Sequence, residues 1–86
     1  MENQDIVVYI SNDCSQCDEL VSQLDEWGVK YQQKNTTENA NFLKDLQKQK
    51  IYATPAVFIG NQKILGFQKN KLKQELGIRN HYSYGN

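Results

Sequence analysis

One proline, one tryptophan, one methionine and one histidine are all that this 86-residue chain contains of those four residues, with two cysteines and five glycines. So little proline and glycine leaves no proline-rich or glycine-rich linker, and the chain shows no internal repeat and no low-complexity segment. Charge of one sign is missing too. Ten basic residues balance ten acidic ones, which argues against nucleic acid as a partner, because phosphate binding needs a concentrated positive field. The local basic stretch, Lys63, Lys69, Lys71 and Lys73, is spaced like a solvated helix surface. No apolar run approaches the ~20 residues of a membrane span, so no membrane partner is expected. Met1 to Asp5 lacks the positive patch and long apolar core of a signal peptide, and the expected location is the cytoplasm. Thiols stay reduced there, so two cysteines point to reactivity or metal binding rather than to a structural staple.

What is present describes an ordinary globular domain: 38% apolar and 23% charged residues. A chain of this length buries only ~60% of its unfolded surface, so its chemistry should be shallow and local. Ile6 to Ile10 is a short β-branched apolar run, the pattern of a strand buried on both faces. After the loop Ser11-Asn12-Asp13, the apolar residues Leu20, Val21, Leu24 and Trp27 fall at helical spacing from Cys17 onward, and Gly28 supplies a stop. Val29 to Gln33 reads as a second, weaker strand. The polar segment from Asn35 to Asn39 offers caps for a second helix, whose stripe is Ala40, Phe42, Leu43 and Leu46 and whose end falls near Lys50. Ala56 to Ile59 is a third strand, Gly60-Asn61 a two-residue hairpin turn, and Gln62 to Leu65 a fourth strand closed by Gly66. Asn70 is expected to cap a last helix, with Leu72 and Leu76 inward and Gly77 beyond its end.

The order β-α-β-α-β-β-α predicts an α/β fold, a four-stranded mixed sheet with helices on both faces. Alternation of strand and helix implies parallel pairing with right-handed crossovers, and the hairpin adds an antiparallel edge. Residues 1–80 form the expected domain, and residues 81–86 a C-terminal tail.

Cys14 and Cys17 follow a buried strand and open a helix. At positions i and i+3 their side chains are neighbours, close enough to close a small disulfide ring. Cys14 lies at the end where unpaired N–H groups and the macrodipole favour a thiolate. Thiols so placed titrate at about 3.5–7.5, against ~8.5 when free. Cys17, one turn inside, should be more buried. The pattern predicts attack by Cys14 on a substrate disulfide and resolution by Cys17. Two other readings exist for the pair. A closed zinc site needs four ligands, and the chain offers two cysteines and the distant His81, so no metal is expected. Two inert core cysteines would fit poorly with the polar flanks Asn12, Asp13, Gln16 and Asp18.

Thr54-Pro55 holds the only proline, directly before a buried strand, where the missing N–H is tolerated. About 5–6% of X-Pro bonds are cis, so a plain trans proline at the strand start is the reading from sequence. Trp27 reads as core and Tyr9 as a strand residue. Phe67 divides between substrate contact and packing, and His81 reads as a surface histidine. Tyr82 and Tyr84 in the tail have no assigned role.

A strand leading into C-x-x-C, a Thr-Pro before an apolar strand and a Gly-Phe after the next strand resemble the glutaredoxin family over Ile6 to Leu76. The resemblance implies a thioredoxin-like fold and a thiol–disulfide oxidoreductase. It also implies a cis Thr54-Pro55 bond against Cys14, with the Thr54 backbone pairing a substrate strand. Catalysis then falls to Cys14 and Cys17, and substrate contacts to Ser15, Gln16, Thr54, Pro55, Gly66 and Phe67.

Glutathione-using members carry a Lys or Arg where Ser11 stands, a Pro-Tyr pair where Ser15-Gln16 stand, and a Gly-Gly pair and an Asp where Gly66-Phe67 and Asn70 stand. Asp13 and Asp18 add negative charge near the site. Gln16-Cys17 and Gly66-Phe67 look more like the NrdH-type redoxins, which thioredoxin reductase reduces and which deliver electrons to a ribonucleotide reductase. The expected partners are disulfide-containing proteins, a ribonucleotide reductase among them. Electrons would come from thioredoxin reductase or from a low-molecular-weight thiol such as glutathione, with no bound cofactor and a monomeric chain. Ser15 also matches members that hold a [2Fe–2S] cluster across a dimer.

Overall fold

The computed structural model describes residues 5–78. Strands β1 (Ile6–Ile10), β2 (Gln32–Asn35), β3 (Ala56–Ile59) and β4 (Gln62–Leu65) form one sheet in the order β2-β1-β3-β4. Helices α1 (Ser15–Glu26), α2 (Ala40–Lys48) and α3 (Lys69–Leu76) complete the expected element order. The tail 81–86, with His81, Tyr82 and Tyr84, lies outside the described residues, as do 79 and 80.

Strand alternation divides the core in two. On one face Val8, Val57, Ile59 and Ile64 meet Leu20 and Leu24 of α1 and Leu72 of α3. On the other, Tyr9 and Ala56 meet Leu46 of α2 and Ile51, with Val7, Phe42 and Phe58 packed around them. Tyr9 and Phe58 contact edge to face, with centroids 5.4 Å apart. The central strands are therefore covered on both faces, which is why β1 and β3 are almost wholly apolar while edge strand β2 is Gln-Gln-Lys-Asn.

The sheet is mixed, with one parallel pair. β1 runs parallel to β2, but β3 runs antiparallel to β1 and β4 antiparallel to β3. Parallel pairing, expected from alternation, thus stops at β2. The seven residues 49–55 separate α2 from β3. Extended, they reach up to ~25 Å, beyond the ~14 Å length of a nine-residue helix. They carry the chain back to the end of the sheet where β1 and β2 finish.

Three elements differ from expectation. β2 starts at Gln32, not Val29, because Val29 still belongs to the end of α1. Its N–H bonds to the Leu24 carbonyl while that of Gly28 bonds to Asp25, the paired hydrogen bonds of a Schellman motif. α2 buries Leu46 and packs Phe42, but Leu43 is 39% exposed and Ala40 is exposed. An i, i+4 pair is all that a nine-residue helix lays on this face. α3 is capped at Gln68, not Asn70. Gly66, at φ +78°, turns the chain early enough for the helix to start at Lys69.

The β3–β4 hairpin turns at Gly60-Asn61 as expected. With φ +55° at Gly60, the first central position is left-handed, as a type II′ turn requires.

Candidate functional site

Cys14 is the N-cap of α1. Its extended backbone (φ −127°, ψ 101°) ends the loop, and its Sγ accepts the Cys17 N–H at 3.1 Å. Sulfur thus takes the place of the oxygen that a Ser or Asp cap would offer. Cys14 and Cys17 are joined by a disulfide with Cα atoms 5.2 Å apart, so this is the oxidised form. The two sulfurs differ in access: Cys14 is half-buried, whereas Cys17 is 1% exposed and faces the core. Ser15 opens the helix on its exposed side.

Thr54 and Pro55 come to the same place from the far side of the sheet. Their peptide bond is cis, as the family resemblance implied and the trans reading did not. The Thr54 carbonyl oxygen lies 3.9 Å from Cys14 Sγ. The Gly66 N–H donates to the Pro55 carbonyl at 2.8 Å, extending the β3–β4 ladder by one pair. Among the described residues the Thr54 backbone makes no backbone hydrogen bond, so the ladder stops one residue short of the sulfur. Ser11 and Thr54 join hydroxyls across this point.

Gln16 and Phe67 meet, although 51 residues separate them. The Phe67 N–H donates to Gln16 Oε1 at 3.1 Å, and the same oxygen would lie 3.5 Å from a Cβ at Gly66. The packing expected of the Phe67 ring is present. The ring packs against the α1–α3 core and lines a shallow surface groove of about 420 Å³ with Asp18, Glu19, Ser22, Gln23 and Glu26.

The loop before Cys14 is held from β2, by residues read in the sequence only as caps for the next helix. The Asn12 N–H donates to Thr37 Oγ1 at 3.0 Å, and Asn35 Nδ2 donates to Asn12 Oδ1 at 3.0 Å. Thr36, buried, donates through both N–H and hydroxyl to the Ile10 carbonyl. Asp13 takes a left-handed φ of +55°, a region that Asp enters more readily than most residues. Asn35, Thr36 and Thr37 were legible only as polar residues, because their partners lie 23 to 26 positions away.

A second groove, about 290 Å³, runs beside Thr54 and Pro55 between Gln16, Lys50, Tyr52, Leu65 and Gly66. Tyr52 is 74% and Leu65 51% exposed, so apolar surface flanks the disulfide. Lys50 and Tyr52 were missed in the sequence. Lys50 puts a positive charge beside the site, against the exposed Asp13 and Asp18. Among the described residues no three His, Cys, Asp or Glu side chains converge as metal ligands.

A half-buried sulfur at a helix start, a buried partner one turn on and a free strand edge beside them define a thiol–disulfide oxidoreductase of the thioredoxin fold. The family model described as glutaredoxin matches residues 6–64, and the chain belongs to the glutaredoxin family. Among solved structures it is similar to a point mutant of the thioredoxin-like protein BC3987, at 32% identity and TM-score 0.80, covering 87% of this chain and 97% of that one. It is also similar to the glutaredoxin-like NrdH-redoxin of Escherichia coli, whose activity profile is described as thioredoxin-like (23% identity, TM-score 0.76, 81% and 92% covered). A buckwheat glutaredoxin solved with glutathione shares the fold at 24% identity and TM-score 0.63, with 86% and 71% covered. No curated protein matches the chain.

Proposed function

We propose that this protein reduces disulfides in other proteins, with Cys14 as nucleophile, and that thioredoxin reductase rather than glutathione restores it. The observation that carries the reading is the asymmetry of the pair. Cys14 stands at a helix start with its sulfur beside the free Thr54 edge, while Cys17 is 1% exposed.

In the reduced form the Cys14 thiolate, stabilised by the Cys17 N–H and the helix dipole, attacks one sulfur of a substrate disulfide. That bond breaks, a Cys14–substrate disulfide forms, and the leaving thiolate takes a proton from water. Cys17 then attacks Cys14 Sγ and the mixed disulfide breaks. The Cys17 proton passes to the departing substrate thiolate. Two electrons and two protons have moved to the substrate, and the protein is left as the disulfide. During attack the substrate main chain pairs with Thr54, an edge-strand mode that reads backbone rather than side chain. Pro55, Gly66 and Phe67 shape that edge.

The reductant preference rests on Ser11, whose hydroxyl is engaged by Thr54 and offers no charge to a carboxylate. Lys50 favours a second reading, reduction by glutathione, since it places one cation beside the groove. A disulfide-bearing protein such as a ribonucleotide reductase is the candidate substrate, the cytoplasm the proposed location and a monomer the proposed working form. Paired NADPH-coupled assays decide the reductant, one with thioredoxin reductase and one with glutathione plus glutathione reductase. The thioredoxin reductase arm should turn over several-fold faster. Faster turnover in the glutathione arm would replace this reading with the second one.

A further inference from the structure

A ring of contacts passes through Cys14, and one side chain closes it. Cys14 Sγ lies against the Thr54 carbonyl, Pro55 is held by the Gly66 N–H, and Phe67 follows Gly66. Gln16 joins the last of these back to the helix that carries Cys14, through the bond from Phe67 N–H to its Oε1. Nothing local requires this bond. Gln16 is exposed, and the turn at Gly66 has its own support from Gln68, whose Nε2 donates to the Leu65 carbonyl at 2.6 Å.

The bond has two consequences for a ligand entering the groove beside Pro55. It occupies the Phe67 N–H, a donor next to the groove that would otherwise be free. It also lays the Gln16 amide over Gly66, within 3.5 Å of the place a Cβ would take. A small anionic thiol peptide buries little surface and depends on N–H donors for its carboxylates. A protein disulfide brings main chain to Thr54 and apolar area to Tyr52 and Leu65, and it loses less from the missing donor.

We propose that Gln16 is a positioning residue that sets substrate class: by holding the Phe67 N–H and covering Gly66 it turns the site away from small anionic thiol peptides and toward protein disulfides. The inference rests on the reading that the chain reduces protein disulfides. On this proposal Gln16, expected as a direct substrate contact, acts through Phe67 and Gly66.

Gln16→Met keeps the size of the side chain and removes the acceptor, Gln16→Ala removes both, and Gln16→Glu keeps an acceptor oxygen. Amide hydrogen exchange at Phe67 reads the bond itself, without reference to activity. One hydrogen bond lost corresponds to exchange faster by up to about tenfold. Gln16→Met and Gln16→Ala should both show faster exchange, and Gln16→Glu should restore protection. In parallel, KM is measured for a glutathione-linked peptide disulfide and for insulin disulfides. With Met or Ala at position 16 the KM for the peptide should fall several-fold, while that for insulin holds or rises.

Unchanged Phe67 exchange in Gln16→Met and Gln16→Ala would overturn the proposal. So would faster exchange with the same ratio of the two KM values. A wild-type protein that prefers glutathione-linked peptide to insulin would instead overturn the reading beneath it, and the exchange result would still stand on its own.

Discussion

Cys14 and Cys17 have identical side chains, and position alone divides the roles proposed for them. One caps a helix at the surface and the other is sealed beneath it. This much was readable from a strand, a C-x-x-C and a helical stripe, since the i and i+3 spacing settles which sulfur lies at the helix end. Lys50 and Tyr52 were not readable, because they reach the site through the return of the chain from α2 to β3 and carry no local pattern. Tyr31 offers a check on electrostatics away from the site. Its hydroxyl donates to Asp25 Oδ1 at 2.9 Å; partial burial, that bond and the carboxylate charge push its pKa from 10.0 up to about 12. A raised pKa favours the neutral phenol in the fold, so its contribution to stability is complete below pH 10 and is lost as the pH rises through about 12. Asp25→Ala removes two of the three causes and leaves partial burial. Ultraviolet titration of the variant should give a Tyr31 midpoint below the wild-type value and still above 10.0.

At the scale of elements, the three helices among the described residues end alike. Gly28, Lys50 and Gly77 take left-handed φ values of +71°, +62° and +71°, and the residue after each bonds back into the last turn. Two of these stops are announced by glycine and were legible. The third is a lysine, so the sequence showed only that α2 finishes nearby. A non-glycine residue in this region costs roughly 1–2 kcal/mol, and glycine brings back about 0.5–1 kcal/mol of unfolded-state entropy. Lys50→Gly should therefore stabilise the fold by about 0.5–1 kcal/mol, read as a higher urea midpoint with an unchanged m-value. A lower midpoint would show that the Lys50 side chain contributes more to packing than its backbone strain costs. The displaced start of β2 has the same origin. Val29 looks like strand by composition, but the hydrogen bonds that end α1 claim it first.

For the molecule as a whole, element order and the two-sided sheet followed from apolar periodicity. The direction of β3 did not, because it depends on a seven-residue connection rather than on any residue's preference. The resulting fold brings a loop from β1, the start of α1, the Thr54–Pro55 bend and the β4–α3 turn to one end of the sheet, and the disulfide lies among them. With a net charge of zero, the recognition proposed above rests on the exposed Tyr52 and Leu65 and on the Thr54 edge. In the proposed reaction Cys14 attacks a partner protein and Cys17 releases it. Cys17→Ser protein, reduced and mixed with a disulfide-bearing protein substrate, should accumulate a covalent one-to-one adduct through Cys14, seen as the summed mass and reversed by dithiothreitol. Cys14→Ser should form none. An adduct carried by Cys17 in Cys14→Ser protein, with none in Cys17→Ser, would contradict the account.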